Sequence, residues 1–252
     1  MIRRLAALAL LALLALPALA QTASPLPQGK NGFSPAQRAE IVEVIRNAMR
    51  TDPTILRDAV VALQQAESDR ENTVARDAIL GLGPALTHTQ GDPVAGNPNG
   101  DVTLVEFYDV RCPYCRRMLP AMAELLRKDQ KLRVIYKDIP ILGPGSAIGA
   151  RAALAAGKQG AYLKMRDAMM TGPSDITTDT VKSASARLGL DWERLQRDMA
   201  DPTIQARIDE NLKLAHRLAI QGTPAYVIGD QLLPGAVTVA ELQNAIGQAR
   251  KQ

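Results

Sequence analysis

Two cysteines, Cys112 and Cys115, stand with Pro113 and Tyr114 between them, and no other cysteine occurs in the 252 residues. A bond between residues so close in the chain closes a tiny loop and removes little chain entropy, so it staples almost nothing. The pair is better suited to reaction. A thiolate is the nucleophile of disulfide exchange, and a second thiol one helical turn away can resolve the mixed disulfide that forms. Zinc usually takes four nitrogen or sulfur ligands. The only histidines, His88 and His216, are far from the pair in sequence, so a structural zinc site is poorly supplied. Copper(I), which soft thiolates select, stands as the alternative use of the same sulfurs. Beyond that alternative, the residues call for no metal and no cofactor.

The flanking residues say what must hold the thiols. The run from Val102 to Phe107 is apolar and β-branched apart from Thr103 and Glu106, which reads as a buried strand. From Arg116 to Lys128, Met118, Leu119, Met122, Leu125 and Leu126 recur at spacings of three and four, which reads as a helix. The dithiol thus falls at a strand-to-helix junction. The first helical turn offers unpaired N–H groups and positive dipole, both of which stabilise a thiolate. Pro113 fits the first helical position, where no N–H is needed. Cys112 is expected at the cap, exposed and acidified, with Cys115 more buried.

The N-terminus bounds where this chemistry takes place. Residues 1–20 read as a secretory signal peptide: Arg3 and Arg4, a Leu/Ala run, Pro17, and Ala18-Leu19-Ala20 at the cleavage point. Export to a bacterial periplasm follows as the expectation. Without Arg3 and Arg4 the formal net charge falls from +4 to +2, because 28 Lys and Arg then face 26 Asp and Glu. So small and mixed a charge argues against nucleic acid as a partner. The pairs Arg116-Arg117 and Arg127-Lys128 read as solvated helix faces.

Residues 21–33 form a Pro- and Gln-rich leader, and 34–82 a helical arm. Ser34-Pro35-Ala36-Gln37 starts a helix with a capping box, and Thr51-Asp52-Pro53 breaks and restarts it. The stripe Ile41, Val44, Ile45, Ala48 and Met49 is too small to make its own core. It either packs on the main domain or pairs with the same stripe in other subunits, the second being favoured. Residues 83–99 are rich in turn formers and mark a linker. Leu132 to Tyr136 reads as a second strand, giving a βαβ unit. Helical patterns fill about 146–220. Met165, Met169 and Met170 there read as core filling. A hairpin over Ala225–Ile228 and Gln231–Leu233 and a helix capped by Thr238 and Glu241 close the chain.

This order resembles the thioredoxin fold of DsbA-type thiol:disulfide oxidoreductases, an α/β class, here with an inserted helical subdomain in residues 100–252 and an N-terminal helical arm. Cys112-Pro113-Tyr114-Cys115 looks like the family's active dithiol, Glu106 like its buried acid and Thr223-Pro224 like its cis-proline loop. Residues 96–109 and Pro140-Ile141-Leu142-Gly143 resemble the ScsC-like and Com1-like branch, whose N-terminal helices drive oligomerisation in some members. The resemblance implies that Cys112 attacks, Cys115 resolves and Glu106 relays a proton to or from Cys115. Arg111 is expected to help acidify Cys112. Pro113, Tyr114, Thr223 and Pro224 are expected to meet the substrate. The implied partners are exported cysteine-containing proteins, a membrane redox partner that resets the dithiol, and further copies of the chain, such as a trimer, joined through residues 34–80.

Overall fold

The computed structural model describes residues 32–251, so the segment read as a signal peptide and most of the leader lie outside the described residues. The chain divides into two compact units, one up to Gln64 and one from Gln65 onward.

The first unit holds α1 (Pro35–Thr51) and the start of α2 (Thr54–Leu82). Ser34 caps α1 reciprocally with Gln37: the Gln37 N–H donates to the Ser34 hydroxyl at 3.3 Å and the Ser34 N–H to Gln37 Oε1 at 2.9 Å. α1 buries none of its residues. Its apolar stripe, Ile41, Val44, Ile45 and Met49, is exposed, as are Ile55, Leu56, Val60 and Leu63 of α2.

The second unit is built on a five-stranded sheet in the order β1-β3-β2-β4-β5. The strands are β1 (Val94–Gly96), β2 (Val102–Tyr108), β3 (Leu132–Asp138), β4 (Ala225–Ile228) and β5 (Gln231–Pro234). β2 and β3 run parallel, as a βαβ crossover requires, and the other neighbours pair antiparallel. β1 lies within the stretch read as linker. It pairs Val94, Ala95 and Gly96 with Ile135, Val134 and Arg133. Just before it, the buried Asp92 carboxylate accepts from Lys137 Nζ at 2.6 Å and Arg207 Nη1 at 2.7 Å, tying the loop to β3.

Strand alternation divides the core between the two faces of the sheet. Val105, Phe107, Ile135 and Val227 face a layer made by Ile79 and Leu82 at the end of α2, by Leu86 in the short α3 (Pro84–Thr87), and by Leu214 and Leu218. Leu104, Tyr108, Tyr136 and Tyr226 face the opposite layer. There lie α4 (Pro113–Lys128), α10 (Val239–Ala249) and much of the helical insertion: α5 (Pro144–Gly157), α6 (Tyr162–Thr171), α7 (Thr178–Arg187), α8 (Trp192–Met199) and α9 (Pro202–Arg217). Glu106 alternates with Leu104 and Tyr108, so it points to the α4 side. Met165, Met169 and Met170 fill this core. α5 approaches the loop before the dithiol so closely that a Cβ on Gly149 would stand 2.6 Å from Val110 Cγ2.

Candidate active site

Cys112 is the N-cap of α4, with extended backbone (φ −64°, ψ 121°), and Pro113 is the first helical residue. Cys115 lies one turn inside and is fully buried, and both cysteines are free thiols. Cys112 is itself only 4% exposed, which corrects the expectation of an exposed nucleophile. The cause is the loop before β4. The Thr223–Pro224 peptide is cis, and Cys112 Sγ donates to the Thr223 carbonyl at 3.1 Å. Cys112 is therefore recessed beneath the backbone of that loop rather than raised on the helix tip.

Four hydrogen bonds favour the Cys112 thiolate. That from the Cys115 side chain is foremost, followed by one from the Thr223 side chain and those from the backbone N–H groups of Cys115 and Tyr114. Against the penalty of burial they bring Cys112 down to about 5. Burial pushes Cys115 the other way, with the Cys112 bond adding to it. The two thiols thus differ in acidity although they differ little in sequence context. The Arg111 guanidinium donates to the carbonyls of Ser174 (3.0 Å) and Leu142 (2.7 Å), which holds it beside the start of α4. Arg116, read as solvated, also proves to be a brace. It donates to the carbonyls of Val110, Met169, Gly172 and Pro173 at 3.0–3.3 Å, tying the dithiol helix to the end of α6.

Glu106 lies on β2 under the pair, opposite Tyr136 on β3 and Tyr226 on β4. Burial raises its carboxyl to about 7, only partly opposed by Arg166, with Asp167 and Asp138 pushing further up. Arg166 Nη2 approaches Glu106 Oε2 at 3.4 Å. Asp138, one turn of the pleat from Tyr136, accepts from Tyr108 (2.5 Å) and Tyr162 (2.7 Å) and is raised to about 6 by burial.

On the outer side, a groove of about 880 Å³ runs past Tyr114 and Thr223. Its walls include Ile220 and Leu232, and Val74 and Ala78 from the last turns of α2. Tyr114 is exposed, with Arg117 over its ring at 4.3 Å. Cys112, Cys115, Glu106, Pro113, Tyr114, Thr223 and Pro224 are thus gathered around one helix start. His88 and His216 are exposed. Among the described residues no group of three or more His, Cys, Asp or Glu side chains is placed to hold a metal ion.

The profile of the family described as DSBA-like thioredoxin domain matches residues 103–247. The chain belongs to that family. A second profile, described as Copper resistance protein ScsC N-terminal domain, matches residues 37–69. A solved thioredoxin-like oxidoreductase from Silicibacter pomeroyi is 43% identical and covers 68% of this chain and 98% of its own, with a TM-score of 0.66. Proteus mirabilis ScsC in a transitional conformation is 28% identical, covering 86% of this chain and 98% of its own at a TM-score of 0.63. The protein named Na(+)/H(+) antiporter NhaA 1 of Salinispora arenicola is 31% identical over 160 residues, 63% of this chain. That match is 24% of the antiporter, so the chain spans about a quarter of the length of the antiporters it matches. No helix among the described residues is long and apolar enough to cross a membrane.

Sequence reasoning missed Arg166, Asp138 and the tyrosines around them. Only their separation by short, apolar, strongly helical or β-branched runs hinted at burial.

Proposed function

We propose that the chain is a thiol:disulfide oxidoreductase of the bacterial periplasm, exchanging disulfides with exported proteins through Cys112 and Cys115. One observation carries the reading: Cys112 caps a helix start against the cis Thr223–Pro224 loop, with the buried Cys115 one turn behind it. In the reducing direction the Cys112 thiolate attacks a substrate disulfide, and one substrate sulfur leaves and takes a proton. Cys115 then gives its proton to Glu106 and attacks Cys112 Sγ, and the second substrate sulfur leaves. In the oxidising direction a substrate thiolate attacks the Cys112–Cys115 disulfide and Cys115 departs, taking the proton from Glu106. A second substrate thiol then completes the substrate disulfide and frees Cys112. Lowering the Cys112 pKa stabilises the reduced protein and makes its disulfide the stronger oxidant. A membrane redox partner resets the dithiol.

The groove past Tyr114 and Thr223 suits an extended cysteine-containing segment laid beside the Thr223–Pro224 backbone, with apolar residues against Ile220, Leu232 and Val74. The arm over residues 34–82 leads into the domain over 100–252, its last turns packing on the sheet and residues 83–99 supplying β1. Its exposed stripe, Ile41, Val44, Ile45 and Met49, joins copies of the chain, such as a trimer. Residues 1–20 direct export.

Refolding of a substrate with scrambled disulfides tests the activity: the protein accelerates it, and Cys112→Ser abolishes the acceleration. Tight copper(I) binding by the reduced dithiol with no turnover replaces the enzyme by a copper carrier. The solution mass tests the arm. A multimer that Val44→Asp and Ile45→Asp together convert to a monomer supports it and favours isomerase or reductase work, whereas a wild-type monomer refutes it and favours oxidase work.

A further inference from the structure

Arg166 is an arginine only 3% exposed, on a helix of the insertion 60 residues from Glu106. Burying a guanidinium is costly unless it is well paired. Its pairing is divided. Nη2 reaches Glu106 Oε2 at 3.4 Å, while Nη1 donates to Asp167 Oδ1 at 2.9 Å. Cζ lies 4.1 Å from the Tyr136 ring centroid and 4.9 Å from that of Tyr108, two rings set edge to face. Nε has no hydrogen-bond partner among the described residues, nor do Glu106 Oε1 and the Tyr226 hydroxyl. An arginine kept only for stability would be expected to satisfy its donors and its acid. This one is pinned by stacking at the far end of a long contact, with one carboxylate oxygen left over.

We propose that Arg166 is a positioning residue of the dithiol chemistry: held against Tyr136 and Tyr108 and shared with Asp167, it sets how strongly Glu106 holds the proton exchanged with Cys115. The inference rests on the reading of Glu106 as the proton relay. The groups facing Glu106 are Tyr108 on its own strand, Tyr136 and Asp138 on β3, Tyr226 on β4, Cys115 on α4, and Tyr162, Arg166 and Asp167 on α6. Arg166 is the one cation among them. The carboxylates of Asp138 and Asp167 oppose it, so the acid stays near 7 instead of falling to the range of an ion-paired carboxylate. A buried acid of that strength gives and takes protons at neutral pH.

The geometry makes two predictions of opposite sign. In the full chain, the carbon-13 shift of the Glu106 carboxyl is followed against pH, alongside the rate at which Cys115 resolves a Cys112–glutathione mixed disulfide. Arg166→Met removes the cation and raises the Glu106 midpoint by about 1–3 pH units, carrying the rate profile with it. Arg166→Lys keeps the charge and restores most of the wild-type midpoint. Asp167→Asn, at a side chain 55% exposed, frees the guanidinium for Glu106 and lowers the midpoint by a few tenths of a unit. Wild-type midpoints in both Arg166→Met and Asp167→Asn overturn the proposal. Should Arg166→Met fail to fold, an unshifted Asp167→Asn overturns it alone. Glu106→Gln separates the two readings: an unchanged rate profile in that variant refutes the relay, while the carboxyl shifts still decide the role of Arg166.

Discussion

Two groups of buried charges lie in the second unit, and they are built in opposite ways. Around Asp92, both carboxylate oxygens accept short bonds, from Lys137 at 2.6 Å and Arg207 at 2.7 Å. Around Glu106, one oxygen has a single contact at 3.4 Å and the other has no partner among the described residues. Both acids are almost wholly removed from water. The first is compensated and fixes the entry to β1. The second is left short of partners beneath two thiols, which raises its proton affinity. Under the proposed relay, incomplete compensation rather than burial alone marks the working acid.

Breaking the compensated group should have the largest structural effect. Asp92→Asn leaves Lys137 buried without its counter-charge, and urea denaturation should show a loss of about 3–5 kcal/mol with the Cys112 titration unmoved. Glu106→Gln should do the reverse. Resolution by Cys115 should slow about a hundredfold, read by stopped-flow quenching of a mixed disulfide. Stability should shift with pH in a defined sense. Glu106 is raised from 4.5 to about 7, so its contribution is complete below pH 4.5 and is lost as pH rises through 7. Relative to Glu106→Gln, wild type should thus lose roughly 3 kcal/mol across that window.

The thiol itself has the opposite sign. Cys112 is lowered from 9.0 to about 5, so its stabilisation of the reduced form is complete above pH 9 and lost as pH falls through 5. The gap in denaturation midpoint between reduced and oxidised protein should close over that range, and ultraviolet thiolate absorbance should titrate near 5. The smallest effect belongs to an exposed pair: Glu124→Gln, which removes the contact to Lys128 on α4, should leave the urea midpoint and the Cys112 titration in place.

The dithiol helix, the β2 strand and the closing hairpin were legible because their signals are local. Cys112 and Pro113 sit at a cap, Glu106 among apolar neighbours, and Gly229-Asp230 between two short apolar runs. The β1 strand was hidden by its brevity, three residues among turn formers, and is held by pairing to β3. Recession of Cys112 was illegible because the covering carbonyl belongs to a residue 111 positions away. Arg166 and Arg116 look in sequence like any polar residue of an amphipathic helix. What distinguishes them is what lies opposite, and that is settled only when α6 packs on the sheet and on α4.

One helix thus touches the reaction centre twice. The C-terminal end of α6 offers its carbonyls to Arg116 and so fixes where the thiols sit, while its middle presents a cation to the acid beneath them. On the proposed role of Arg166, the behaviour of the dithiol is adjustable from α6, without altering the four residues of the motif. Libraries selected for a stronger or weaker oxidant should collect substitutions between Met165 and Gly172, and natural variants that share Cys-Pro-Tyr-Cys should differ in potential according to what they carry there.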